Sequence, residues 1–291
     1  MDTIFDQNHL VQLMNFIALA ALTFPTIDPI AFELGPIVVR WYGLAYMSGL
    51  LLGWYYLRLL ILDDRLWVKG KAPVSAEQID DLLLWITLGV IVGGRLGFVL
   101  LYEPGYFLAN PSEILAVWHG GMAFHGGFLG VCLAVYLFAR KYNVSFLSLG
   151  DIICAAAPFG LFFGRVANFI NSEHFGHPTD VAWGMVFPNG GPDVRHPSQL
   201  YEALLEGLAV FLVIRFFTHT KFALKTPGKV IGIFLIGYGS ARVFCEIFRV
   251  PESVHALNLG PLTTGQIYSI PMIIAGLFFL KLAKRDNKQT A

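Results

Sequence analysis

Apolar residues gather along the chain into seven runs of roughly twenty positions, at 41–61, 82–102, 121–139, 149–171, 199–217, 230–250 and 264–283. Each is long enough to cross the apolar core of a bilayer as a helix, whereas the strands of a membrane barrel would alternate apolar and polar residues over about ten positions. The pattern predicts an all-α, polytopic membrane protein with seven transmembrane helices. Residues 10–24, LVQLMNFIALAALTF, are apolar but short, and the preceding MDTIFDQNH lacks the basic start of a signal peptide. This segment is expected to be an interfacial helix on the outer face, with an eighth span as the alternative. The expected organisation is an N-terminal extension over 1–27, one seven-helix domain over 28–285 and a cytoplasmic tail over 286–291. The polar stretch 172–198, rich in Gly, Pro, His and Asn, forms a small external cap.

Composition sharpens this picture. Of 291 residues 56% are hydrophobic and 14% charged, against about 25% charged in soluble domains. Twenty Lys and Arg balance twenty Asp and Glu, so nothing in the charge favours nucleic acid as a partner. Cys132, Cys154 and Cys245 are scattered and offer neither a disulfide framework nor a C-x-x-C site; they read as small packing residues.

The basic residues also orient the chain, because Lys and Arg beside short loops stay on the cytoplasmic side. Arg58, Arg65, Lys69 and Lys71 follow the first run, Arg140 and Lys141 the third, Arg215, Lys221, Lys225 and Lys229 the fifth, and Lys281, Lys284, Arg285 and Lys288 the last. The alternate segments hold Arg40, Arg195 and Arg249. The N-terminus is therefore expected outside and the C-terminus inside.

Three arginines, Arg95, Arg165 and Arg242, fall within apolar runs. An arginine at mid-span costs about 2.5–3.5 kcal/mol even on the mildest insertion scale, so such residues face a polar cavity or a partner. At 1.5 Å per residue, each lies roughly 9–12 Å below the outer boundary. Tyr42, His125, Asn168, Glu202, Glu206 and Glu246 also fall in outer turns, and Arg242, Glu246 and Arg249 form a stripe at i, i+4 and i+7. The set is expected to converge on one outer-leaflet cavity. The alternative is a group of structural ion pairs, such as Arg242 with Glu246 and Arg95 with Glu202 or Glu206.

Guanidinium forks match phosphate oxygens, so arginines in such a cavity, Arg95 included, predict an anion clamp for a phospholipid headgroup. His125, in GMAFHGG, is the candidate general base, since its unperturbed pKa is near neutrality and the flanking glycines admit close approach of a ligand or helix. The string EHFGHPTD has metal-binding residue types, but no H-E-x-x-H helix accompanies it, and Ser240 in GYGSAR is no nucleophile elbow. No metal and no cofactor is expected. A lipid or anion transporter is the rival reading, disfavoured because no repeat and no matching inner-half polar residues are found.

Several strings resemble, in order, the bacterial prolipoprotein diacylglyceryl transferases: RWYGLAY at 40–46, GGRLGFVLLY at 93–102, GGMAFHGG at 120–127, GRVANFINSEHFG at 164–176, RHPSQLYEALLEG at 195–207 and GYGSARVFCEIFR at 237–249. The resemblance implies a bacterial inner-membrane enzyme that moves the diacylglyceryl group of phosphatidylglycerol to the lipobox cysteine of exported prolipoproteins. A thioether forms and glycerol phosphate leaves. It implies catalytic roles for His125, Arg165 and Arg242, and substrate-binding roles for Arg165, Arg242, Tyr42, Asn168, Glu173, Gly176 and Glu246. The expected partners are phosphatidylglycerol, prolipoproteins and membrane lipids, and the expected state is a monomer.

Overall fold

A computed structural model describes residues 22–25, 27–35, 37–117, 120–250 and 262–289. The expected N-terminal helix over 10–24 lies outside these residues except at its end, where Leu22–Thr23 form a strand, β1, rather than helix. Two further strands, β2 (Ile30–Leu34) and β3 (Ile37–Arg40), pair as an antiparallel hairpin. Helices occupy each of the seven predicted runs. They begin with α1 (Trp41–Leu62) and α2 (Ala76–Leu101), followed by a short α3 (Pro104–Ala109). Next come α4 (Phe124–Tyr142) and α5 (Phe146–Ile170). After strands β4 (Met185–Val186) and β5 (Val194–Arg195) the chain forms α6 (Ser198–Glu202), α7 (Val210–Thr220), α8 (Lys229–Cys245) and α9 (Thr264–Gln289).

Four described helices are long and apolar enough to cross a membrane: α1, α2, α5 and the Thr264–Lys284 part of α9. This is a multi-pass membrane protein. Leucines such as Leu50, Leu51, Leu88 and Leu277 are exposed on these helices, which is the proper place for apolar side chains where the solvent is lipid.

Two predicted helices differ in form from the uninterrupted runs. The stretch predicted at 199–217 runs from α6 through a π-helical turn, Ala203–Ala209, into α7. The run at 230–250 leaves helical geometry after Cys245, and Arg249 instead bridges Gly176. Of the polar 242/246/249 stripe only Arg242 is thus within the helix.

The described residues form two compact units. The first contains Met1–Gly53, Ala157–Arg215 and Gly232–Phe278. Within it β1 pairs in parallel with β4, and β4 pairs antiparallel with β5. Phe24, just after β1, packs its ring 5.2 Å from Phe169 and 5.3 Å from the fully buried Phe187. Residues assigned from sequence to an extension are therefore tied to the cap.

The second unit contains Trp54–Ala156, Phe216–Ile231 and Phe279–Ala291. Here α2 and α4 meet backbone to backbone: a Cβ added at Gly93 would lie 2.4 Å from the Gly126 carbonyl oxygen, and one at Gly130 would lie 2.0 Å from that of Gly89. This is the small-residue packing that membrane helices use where burial from water supplies no attraction. The α2 N-terminus carries a capping box between Ser75 and Gln78. Buried Asp151 accepts from the backbone N–H groups of Gly228 and Ile231, at 2.7 and 2.8 Å, satisfying orphan donors at the start of α8.

Candidate active site

The strongest constellation of charge lies within the first unit. Arg165 projects from the last turns of α5, Glu202 ends α6, Glu206 lies in the π turn, and Arg242 lies in the last turn of α8. Glu246 and Arg249 follow just beyond. The wide turn changes the angular spacing between Glu202 and Glu206, and both carboxylates are completely buried. π turns are rare and recur at functional sites.

The contacts form a continuous network. Arg165 donates from Nε and Nη2 to Glu206 Oε2, at 3.2 and 3.0 Å, and its Nη1 lies 3.4 Å from Glu202 Oε2. Arg242 Nη1 donates to Glu202 Oε1 and, at 3.4 Å, to Glu206 Oε1, while its Nη2 pairs with Glu246. Arg249 Nη1 donates to Glu202 Oε1 at 2.9 Å. The i, i+4 pair of Arg242 with Glu246 expected from the sequence is present, within a larger assembly.

Exposure orders the network in depth. The Arg165 and Arg242 side chains retain 17% and 14% exposure, whereas those of Glu202 and Glu206 retain 0%. The carboxylates are a floor and the two guanidiniums a rim. A guanidinium has five N–H donors, and the contacts above engage three on each rim arginine. These contacts leave at least two N–H donors on each arginine unengaged. Fixed partners on one edge hold the other edge in place, which is what a preorganised phosphate site needs.

A tightly held loop adjoins this network in sequence and in space. Ser172 and His174 both adopt positive φ, uncommon for residues with a Cβ. Several bonds hold them there. Gln199 Nε2 donates to the Glu173 carbonyl at 2.7 Å and Ser198 Oγ to that of His174 at 3.0 Å, both from fully buried side chains. Asn168 Nδ2 donates to the Glu173 carboxylate at 2.8 Å. Arg249 Nη2 lies 3.2 Å from His174 Nδ1; arginine is only a donor, so that nitrogen accepts. Gly176 is fixed by space, since a Cβ there would stand 2.4 Å from the Phe248 carbonyl oxygen and 2.7 Å from His196 Cβ. In the cap, burial and then the neighbouring His177 push the His196 imidazole below its usual pKa. Its Nδ1 lies 3.1 Å from the Tyr201 hydroxyl.

The sequence profile of the prolipoprotein diacylglyceryl transferases matches residues 29–282. The chain belongs to this family. It is similar to proteins named phosphatidylglycerol–prolipoprotein diacylglyceryl transferase from several bacteria. That of Nitrobacter hamburgensis is 52% identical over 264 residues, covering 90% of each chain. That of Rhizobium meliloti is 48% identical over 267 residues, 91% of this chain and 95% of the relative. That of Rhodospirillum rubrum is 52% identical over 270 residues, covering 92% and 96%.

Of the residues that the resemblance to the diacylglyceryl transferases singled out, Arg165, Arg242 and Glu246 share one network, Glu173 and Gly176 lie in the adjoining loop, and Asn168 reaches that loop from α5. Tyr42 opens α1, where its hydroxyl lies 3.0 Å from that of Tyr46. His125 and Arg95 belong to the second unit. His125 is exposed in the first turn of α4, its ring 5.6 Å from that of Phe124.

Arg95 differs from the ion-pair reading, since neither Glu202 nor Glu206 is its partner. Its side chain donates to the carbonyls of Glu113, Ile114, Gly120 and Gly121, and the guanidinium carbon lies 5.0 Å from the Phe107 ring centre. A buried guanidinium bonded to four carbonyls is a loop anchor. The segment it anchors leads into α4, whose entry is also latched by the Ala123 N–H donating to the Gly94 carbonyl at 2.9 Å.

Sequence reasoning named Glu202 and Glu206 only as polar groups or ion-pair partners, and it did not single out Ser198, Gln199 or His196. All lie in or beside RHPSQLYEALLEG. Two glutamates four apart in an apolar run were the signal that could have placed them beneath the arginines.

Proposed function

We infer that this protein is a membrane transferase that moves the diacylglyceryl group of phosphatidylglycerol to the lipobox cysteine of a prolipoprotein, the first step of lipoprotein maturation. Family membership supports the reaction, and the rim of Arg165 and Arg242 above buried carboxylates is the observation that carries the reading. It supplies outward-facing guanidinium donors in a water-poor setting, suited to a phosphodiester.

In the reaction the substrate cysteine sulfur bonds to the terminal glycerol carbon as the carbon–oxygen bond to phosphate breaks. The thiol gives up its proton, because the thiolate is the nucleophile. Negative charge grows on the departing phosphate, where Arg165 and Arg242 stabilise it more in the transition state than in the bound lipid. Glu246 and the buried glutamates orient the guanidiniums. Asn168, Glu173 and Gly176 shape the adjoining wall, and Tyr42 contributes to lipid binding. His125 takes the thiol proton or orients the group that does, and Arg95 fixes the segment that leads into the His125 helix. The chain's own cysteines are not nucleophiles, and the protein acts as a monomer without metal or cofactor.

Incubating the purified protein with phosphatidylglycerol and a lipobox peptide tests the reading. A peptide carrying a thioether-linked diacylglyceryl group is expected, together with released glycerol phosphate. Lipid binding or movement without modified peptide would favour the transporter.

The proposed topology has seven spans in the bacterial inner membrane, the cap and active site towards the periplasm, and the loops at Lys69, Lys141 and Lys225 in the cytoplasm. The charge asymmetry supports it. Single cysteines introduced at these positions and at His177 report it in intact cells. Position 177 should react with a membrane-impermeant thiol reagent and the three lysine positions should not; the reverse pattern would overturn the orientation.

A further inference from the structure

The buried network has a property that phosphate binding alone does not require. Its three guanidiniums, Arg165, Arg242 and Arg249, meet three carboxylates, Glu202, Glu206 and Glu246, so their formal charges cancel. A site built only to attract anions would keep its arginines uncompensated. Here each rim arginine is matched from beneath, and the matching groups are buried where water and salt screen them least.

Glu206 holds the key position. One of its oxygens takes two donors from Arg165 and the other takes one from Arg242, so it bridges both rim arginines. Glu202 also reaches both rim arginines but is shared with the deeper Arg249, and Glu246 contacts only Arg242 among the network arginines, so Glu206 is the carboxylate committed to the rim pair alone. The π turn places Glu206 on this buried face.

We propose that Glu206 sets the charge of the site so that it retains a phosphodiester monoanion and expels a phosphomonoester dianion. This rests on the transferase reading and adds a discrimination between its substrate and its product. In the reaction the thiol S–H and the glycerol C–O bond break, and a thioether C–S bond forms. The oxygen stays on phosphorus, turning a diester that carries one negative charge into a monoester whose second ionisation lies near pH 6. The released proton passes to solvent by way of the base or the phosphate itself. Above that pH the product carries about twice the substrate's charge. In a charge-balanced, poorly screened network the extra charge opposes the floor of carboxylates, where Glu202 and Glu206 both reach the two rim arginines but only Glu202 is also tied to Arg249. The site thus favours the lipid it must hold and releases the anion that would otherwise inhibit it.

The test compares two water-soluble anions by equilibrium binding to the full-length protein at pH 8. One is glycerol phosphate, the dianion; the other is glycerophosphoglycerol, the deacylated headgroup and a monoanion. Wild type should bind the diester at least as tightly as the monoester. Glu206→Gln, which keeps the shape and removes the charge, should bind the monoester about tenfold more tightly or better, with a clearly smaller gain for the diester. In the transfer assay the same variant should show stronger inhibition by glycerol phosphate and lower multiple-turnover rates, with a smaller loss in a single turnover. A wild-type preference of tenfold for the monoester, or equal changes for both anions in Glu206→Gln, would overturn the proposal. The wild-type comparison decides the matter even where the variant does not fold. Because binding needs no turnover, failure of charge selection is distinguishable from failure to form lipidated peptide, which would overturn the transferase reading itself.

Discussion

Replacing Arg165 or Arg242 by alanine should reduce transfer at least 10²- to 10³-fold. Losing one preorganised donor to a developing oxyanion raises the barrier by about 2.7–4 kcal/mol. Each alanine also leaves buried carboxylates without a partner. Arg165 serves both Glu206 and Glu202, and Arg242 serves Glu202, Glu206 and Glu246. Breaking a buried pair by removing one partner costs about 3–5 kcal/mol of stability, so the alanine variants should also unfold more readily. Lysine separates the two effects. It keeps the positive charge over the floor but lacks the planar fork that reaches down to glutamate and out to phosphate at once. Arg165→Lys and Arg242→Lys should therefore fold, bind lipid with modest loss and turn over much more slowly. Lipid affinity and single-turnover rate, measured separately on membrane-inserted protein, check this. Lysine variants that transfer at the wild-type rate would rule out fork recognition of phosphate.

His125→Ala should lower turnover by about 10²-fold or more, the usual contribution of a positioned proton-transfer group. The local structure makes the substitution readable. His125 stands just before Gly126, where α4 packs on α2 so closely that a Cβ at Gly126 would lie 2.3 Å from the Gly93 carbonyl oxygen. Position 125 itself is exposed. Truncating it should leave the helix contact intact, so lost activity reports on the imidazole rather than on folding. His125→Gln preserves a hydrogen-bonding group without the base. Should the glutamine enzyme match wild type in the lipobox-peptide assay, proton transfer is assigned elsewhere and His125 only orients.

The sequence by itself determined the class of protein, its family and the places of most of its helices. Runs of apolar residues are legible in a membrane protein because a spanning helix needs about 20 mostly apolar residues in a row. Arginine within such a run is costly enough to mark a function without any structure. Arg165 and Arg242 were legible as candidates on that ground, Glu246 from its i, i+4 spacing to Arg242, and ordered motifs made the family legible too.

Tertiary structure decided what each charge does. Arg95 obeyed the same rule of cost as Arg165, yet its donors meet four backbone carbonyls of a segment 18–26 residues away in sequence. Only folding shows whether a buried guanidinium finds carbonyls or carboxylates, since either relieves the burial of charge. The π turn at Ala203–Ala209 was likewise hidden, because ALLEGLA has no local signature that separates it from an α-helix. Its effect is nonlocal: it lies where Glu206 meets arginines 41 and 36 residues away. β1 was misread for a related reason, since a two-residue strand such as Leu22–Thr23 takes its structure from its partner at Met185–Val186 and not from its own pattern. Periodicity records which face of an element is apolar, whereas the partner of a buried polar group is fixed only when distant segments are brought together.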